Sequence, residues 1–350
     1  MNLQELTKYI ERKQNQSFSG IPILISGWKD VMGSVNKGDY VCITSGTAGG
    51  KTSLTLDKYV LDAIEFVNKN KQIDLRIDFF SLEETKLRTE LRLLSRFLYT
   101  TQGVSLGIRD FQNSDNSKKA LPFISKLQST QSLVDTFNNH CFIHEDCKTP
   151  SQIDERLEQC VKKFPPGEDK YHLVVIDNCK FLERENGQTI KQCIDTVCLN
   201  VLMKYRNKYE VIPIVVIHQN SGSEIAQRDW KQVVVLESIR PSENSLSDSN
   251  DVRTPVTTMI GIFNPYKHGL LEYKGYDLTV FKHDFRVLCH LKGRDGIGDD
   301  IPVYFNGKIC QFLELEPPEF FQKNGYSSYG LNDPIKNTTK KSSWKNELEL

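Results

Sequence analysis

Two continuous apolar runs constrain this chain more than any other feature. Leu173–Ile176 ends in Asp177, and Val211–Ile217 runs into His218-Gln219-Asn220. Neither run alternates with polar residues, so each reads as a strand buried on both faces, which requires layers packed above and below it. Tyr40–Thr44 and Leu75–Phe80 are further runs of this kind, and Cys141–His144 is a shorter candidate. Between them lie helical stripes: Leu54, Leu61, Ile64 and Val67; Leu87, Leu91, Leu94 and Leu98; Ile153, Leu157, Cys160 and Val161; and Ile190, Ile194, Val197, Val201 and Tyr205. Strands separated by helices imply βαβ units and a mostly parallel central sheet flanked by helices. Towards the C-terminus, Val303–Phe305 and Lys308–Leu315 flank Asn306-Gly307, the signature of a two-residue type I′ hairpin. The expected fold is α/β with a β-hairpin-rich C-terminal edge.

Three zones follow from the same reading. Residues 1–20 carry Leu3, Leu6 and Ile10 as an amphipathic helix over Met1–Lys13, then a polar linker. Residues 21–320 hold the alternating pattern and read as one domain. Residues 321–350 turn polar and are expected to be a disordered tail. With 38% hydrophobic and 26% charged residues the chain can build a core. Its 45 basic and 45 acidic residues exclude a globally basic surface, so nucleic-acid contact has to be local. The longest apolar run is far short of the ~18 residues of a membrane helix, and no secretory leader is evident. Nine cysteines, an odd number without a CxxC pair, suggest neither a disulfide framework nor a thioredoxin-like site. The expected compartment is the cytoplasm.

The strongest chemical signal is Ser45-Gly46-Thr47-Ala48-Gly49-Gly50-Lys51-Thr52, between the first buried strand and a helix. Small residues let backbone amides close around phosphates at a helix N-terminus, Lys51 reaches the terminal phosphates, and the Thr52 hydroxyl ligates Mg²⁺. The fingerprint asks for glycine where Ser45 stands, and a plain glycine-rich turn is the alternative. Asp177, closing its buried strand, is the natural second group for the magnesium shell. Hydrolysis also needs a residue that activates water. Glu83 and Glu84 both follow the strand ending near Phe80, and their position alone does not separate them. The ligand implied is ATP with Mg²⁺.

The set resembles the DnaB-type replicative helicases, which have a RecA-like P-loop core. Phe80-Ser81-Leu82-Glu83 and Val175-Ile176-Asp177 match two of that family's motifs. Gly20-Ile21-Pro22, Trp28, Gly33 and Lys37-Gly38-Asp39 resemble its lead-in. Val215–Asn220 resembles its sensor strand, with His218 where serine is more usual. Leu291-Lys292-Gly293-Arg294 resembles its finger segment. The similarity spans about Gly20 to Leu315. It implies Glu83 as catalytic base, Asp177 in the magnesium shell, Gln219 as γ-phosphate sensor, and Lys292 with Arg294 reaching a neighbouring subunit's nucleotide. If both cations lie on one strand, residues two apart share a face and can converge on one phosphate.

The resemblance implies a ring, six-fold in the family, that moves 5′ to 3′ on single-stranded DNA. Candidate partners are a primase, a polymerase or a helicase loader. The short N-terminal region resembles phage-encoded members, hence a phage-infected bacterial cell. The Ser- and Asn-rich segment Leu236–Arg253 falls at the family's DNA loop, with Arg240 and the backbone of Ser242–Asn244 as candidates. A RecA-like recombinase filament and a non-hydrolysing ATP-binding assembly factor are the alternative functions. Two weaker patterns also stand out. His140-Cys141-x-x-His144-x-x-Cys147 is a poor zinc match, lacking a second pair. Tyr266, Tyr273 and Tyr276 are expected to pack rather than to stack on bases.

Overall fold

The computed structural model describes residue 7 and residues 20–112, 131–185, 187–220, 235–247 and 251–325. The N-terminal helix expected over Met1–Lys13 and most of the tail lie outside the described residues.

A nine-stranded sheet organises the chain. Its strands are β1 (Val41–Ser45), β2 (Asp74–Ser81), β3 (Cys141–His144), β4 (Lys170–Asp177), β5 (Ile212–His218), β6 (Thr258–Phe263), β7 (Phe285–Lys292), β8 (Ile301–Asn306) and β9 (Gln311–Glu314). The spatial order is β9-β8-β7-β6-β1-β5-β4-β2-β3. From β6 to β3 the neighbours run parallel. Strands β7, β8 and β9 add antiparallel at one edge.

Both faces of the parallel part are buried, which is why its strands read as unbroken apolar runs. Along β4, Leu173 and Val175 enter one core while Val174 and Ile176 enter the other. The helical path Lys51–Leu54, Thr55–Leu61 (a π-helical stretch) and Asp62–Lys69 covers the first face with Leu54, Val60, Ile64 and Val67. The helix Pro150–Lys163 and the path from Ile190 to Tyr209 cover the second with Ile153, Leu157, Val197 and Tyr205. Capping boxes start both: Thr149 with Gln152, and Thr189 with Gln192, each satisfying otherwise orphaned backbone groups.

Three local expectations are corrected. On the helix Lys86–Gln102 the core face is Leu93, Phe97 and Leu98, whereas Leu87 is 66% exposed and Leu91 and Leu94 are half-buried. The C-terminal hairpin exists, but Asn306 pairs with Gln311, so the connection is longer than a two-residue type I′ turn. Burying Ile309 and Cys310 outweighs the tight turn, and Cys310 takes the positive φ (+50°). The fold also runs past residue 320: the helix Pro318–Asn324 buries Phe321 against Tyr276 and Phe281.

Candidate functional site

Parallel strands end together, and here that brings the predicted groups to one edge. Ser45 stands in register with His218, and Ser81 with Asp177. The phosphate-loop candidate, the loop after β2, Asp177 and Gln219 therefore gather at the carboxyl ends of the strands, where open α/β sheets bind ligands.

The loop has the backbone its chemistry needs. Ala48 and Gly50 adopt positive φ (+58° and +101°), and a Cβ on Gly49 would drive into the Ser45 side chain. Ser45, the departure from the glycine fingerprint, is buried and lies 3.3 Å from the Lys51 ammonium through its hydroxyl. Lys51 Nζ also donates to the carbonyls of Ser45 and Gly46 (both 3.2 Å) and lies 3.2 Å from His218 Nδ1. The loop is buttressed from the antiparallel edge: buried Arg286 donates to the Gly49 carbonyl (3.2 Å), and burial pushes its pKa down to about 10. Asp57, in the helix after the loop, accepts the Phe312 N–H (2.9 Å) and pairs with Arg96 (3.0 Å). No sequence signal marks Arg286 or Asp57, because both act through residues distant in the chain.

Asp177 is almost fully buried, and burial first, with the nearby Glu83 and Glu84 charges, pushes its carboxyl up to about 7. A Thr52 hydrogen bond and the Lys51 charge oppose that rise. Asp177 Oδ1, Gln219 Nε2 and Thr44 Oγ1 are buried without hydrogen-bond partners among the described residues. Orphaned buried polar atoms of this kind are costly. Together with the Thr52 hydroxyl they make a hard oxygen set that suits Mg²⁺ and a phosphate beside it.

The tertiary structure separates the two glutamates. Glu84 is taken by Arg92 (2.6 and 2.8 Å) and Arg88 (3.0 Å). Glu83 is exposed, and the Leu82 N–H donates to the Asp177 carbonyl (2.7 Å), which sets the Glu83 turn beside that strand end. Gln219 is anchored by its N–H to the Ser45 carbonyl (3.1 Å).

Lys292 and Arg294 lie elsewhere. Strand β7 is antiparallel, and its Lys292 end pairs with Met259, near the start of β6, so the segment sits at the opposite end of the sheet from the loop. The shared strand face expected for the pair does not occur. A register shift separates His290 from Lys292, the strand ends there, and exposed Arg294 lies in the following turn. That turn is pinned by Trp28, whose indole donates to the Asp299 carbonyl (2.7 Å) and packs on His290 (5.2 Å).

Arg240 and its segment are a second correction. Arg240 is tied to Asp300 (2.5 Å), which also accepts the Tyr273 hydroxyl (3.0 Å). The Ser242 N–H is taken by the Ser245 hydroxyl (3.2 Å). Buried Ile239, Leu246 and Val252 anchor the stretch, so its polar composition reflects an outer face rather than a free loop. Tyr273 and Tyr276 pack around Phe285 (6.1 and 5.5 Å), and Tyr266 packs on His283 (5.0 Å), as expected.

The His/Cys pattern does not converge. His140 Nδ1 lies 2.9 Å from the Leu75 carbonyl, while His144 turns to Asp78 (2.8 Å). Asp78, His144 and Cys160 do approach one another. Arg76 grips both Asp78 oxygens (2.6 and 2.8 Å), and His172 donates to the same carboxylate (2.7 Å). A guanidinium inside the cluster opposes a second cation, so this is a closed ion network.

No protein-family model and no curated protein sequence matches the chain. Solved structures do. One, the ATPase domain of a helicase, is 16% identical, with 90% of this chain and 99% of that chain covered and a TM-score of 0.67. Another, a DnaB-like replicative helicase solved to show its interactions with primase, is 19% identical, with 89% of this chain and 67% of that chain covered and a TM-score of 0.63. The fold is therefore the RecA-like core of DnaB-type helicase ATPase domains, a mostly parallel sheet flanked by helices. Among the described residues no helix is long and apolar enough to cross a membrane.

Proposed function

We propose that this chain is an ATP-hydrolysing DNA helicase of the DnaB type, a ring-forming motor that moves 5′ to 3′ on single-stranded DNA and separates duplex. One observation carries the reading: the loop with Lys51, Asp177 and Glu83 and the segment with Lys292 and Arg294 occupy opposite ends of one sheet. Cations so placed can serve a nucleotide only across a head-to-tail contact with another copy, and such contacts close into rings or run on as filaments. A hexamer is the ring the resemblance favours.

In this reading the amides of Ser45–Thr52 cradle the phosphates and Lys51 leaves its carbonyl partners for the terminal phosphate. Thr52 and Asp177 hold Mg²⁺, which when bound neutralises phosphate charge. Glu83 orients the attacking water and takes its proton. Gln219 Nε2, unpartnered and joined through its backbone to Ser45, responds to the terminal phosphate. Lys292 and Arg294 of the next copy stabilise the transferring phosphoryl, a contribution of ~10³–10⁵ for an arginine finger. DNA contacts in a motor of this kind are mostly to backbone phosphates, indifferent to sequence. Primase, polymerase or loader proteins are the partner classes such a motor would meet.

The test is unwinding of forked DNA with ATP and Mg²⁺, using a 5′ or a 3′ loading tail and Lys51→Ala as control. Unwinding that needs the 5′ tail and vanishes in the variant is expected. Hydrolysis without unwinding, with filaments in electron micrographs, would replace the helicase reading with the recombinase one. No hydrolysis would leave a nucleotide-binding assembly factor.

A further inference from the structure

Asn178 follows Asp177 and is fully buried. Its side-chain oxygen accepts the Lys180 N–H (3.1 Å) and so caps the short 3₁₀ turn Cys179–Phe181. That contact decides which way the amide faces, because only the oxygen can accept from an N–H. The amide nitrogen is then aimed at Glu83 and donates to Oε2 at 3.4 Å. Catalytic hydrogen bonds are often long before substrate binds. Glu83 itself is exposed, on a turn whose neighbour Glu84 is committed to Arg88 and Arg92.

We propose that Asn178 is a positioning residue for hydrolysis: its amide holds one oxygen of the Glu83 carboxylate and leaves the other to face the attacking water. The inference rests on the reading of Glu83 as the base. The turn cap requires only an oxygen, which aspartate supplies equally well. The contact to Glu83 requires the N–H₂, which aspartate lacks. A carboxylate at position 178 would face the Glu83 carboxylate and repel it. The two roles of Asn178 therefore separate in one isosteric substitution.

The experiment uses the full chain and compares wild type, Asn178→Asp, Asn178→Ser, Glu83→Gln and the double variant Asn178→Asp/Glu83→Gln. Steady-state ATP hydrolysis and thermal melting are measured for each. Displacing a reacting group by about an ångström costs ~10²-fold, so kcat should fall about 10- to 100-fold in both Asn178 variants. KM for ATP should stay within about twofold, and melting of Asn178→Asp should be unchanged. The double variant should be no slower than Glu83→Gln, since without the carboxylate there is nothing left to position. Wild-type kcat in Asn178→Asp overturns the inference, as does a double variant slower by the product of the two single effects. If Asn178→Ser fails to fold, Asn178→Asp with its cap intact still decides. If Glu83→Gln itself hydrolyses ATP normally, the assignment of the base has failed, an outcome distinct from loss of the Asn178 role alone.

Discussion

Arg92 forks onto both carboxylate oxygens of Glu84, at 2.6 and 2.8 Å, and removes that side chain from the phosphate edge. Bidentate guanidinium–carboxylate pairs are among the stronger polar contacts in proteins. Two adjacent glutamates are thereby given different tasks. Glu83→Gln should lower kcat by ~10²–10⁴ without loss of stability. Glu84→Gln should instead lower stability by about 1–3 kcal/mol and leave most of the hydrolysis per folded molecule. Parallel hydrolysis and denaturant-melting series check the division, and the reverse pattern would exchange the two assignments.

The opposite placement of Lys51 and Arg294 predicts complementation. Lys51→Ala and Arg294→Ala should each abolish most hydrolysis, the second by ~10³ or more. Mixed before assembly, they should recover part of it, because an interface between an intact loop and an intact finger forms in the mixture. If mixing restores nothing although both variants co-assemble, the composite site is excluded.

Asp78 predicts a dependence of stability on acid. Burial would raise its carboxyl, but hydrogen bonds from His144, His172 and Arg76 outweigh that and hold it well below the usual carboxylate range. A pKa lower in the folded than in the unfolded chain, where it is ~3.9, stabilises the fold fully above that value. The contribution is lost progressively as pH falls below it. Urea midpoints should therefore drop more steeply between about pH 5 and pH 3 in wild type than in Asp78→Asn. At neutral pH that variant should be less stable by ~3–5 kcal/mol, since Arg76 loses its buried partner.

Arg240 should behave as a structural residue. Removing its contact to Asp300 by Arg240→Ala should cost about 1–3 kcal/mol of stability. Asp300→Asn should cost a similar amount, and the double variant less than the sum, because both remove one interaction. Stimulation of hydrolysis by single-stranded DNA should be unchanged per folded molecule; its selective loss in Arg240→Ala would return this residue to the DNA path.

Much of this was readable from the residues alone. The runs Leu173–Ile176 and Val211–Ile217 announced strands with cores on both sides, since alternate residues enter different clusters and neither face can be polar. The loop Ser45–Thr52 announced itself because backbone approach to phosphate demands small residues at consecutive positions. Both signals are local, so spacing along the chain carries them. What tertiary structure alone decided was the choice between competing partners. Glu84 went to Arg92, Arg240 to Asp300, and the Asn178 amide to Glu83, contacts between side chains eight, sixty and ninety-five positions apart. The hairpin after Asn306 lengthened because Ile309 and Cys310 had a core to enter, which the turn dipeptide could not reveal. Parallel register brought Asp177 to the loop, while the antiparallel edge carried Arg294 away from it. Local pattern specifies which backbone forms; only the packed chain settles which charge meets which, because that depends on distances across the sheet rather than along it.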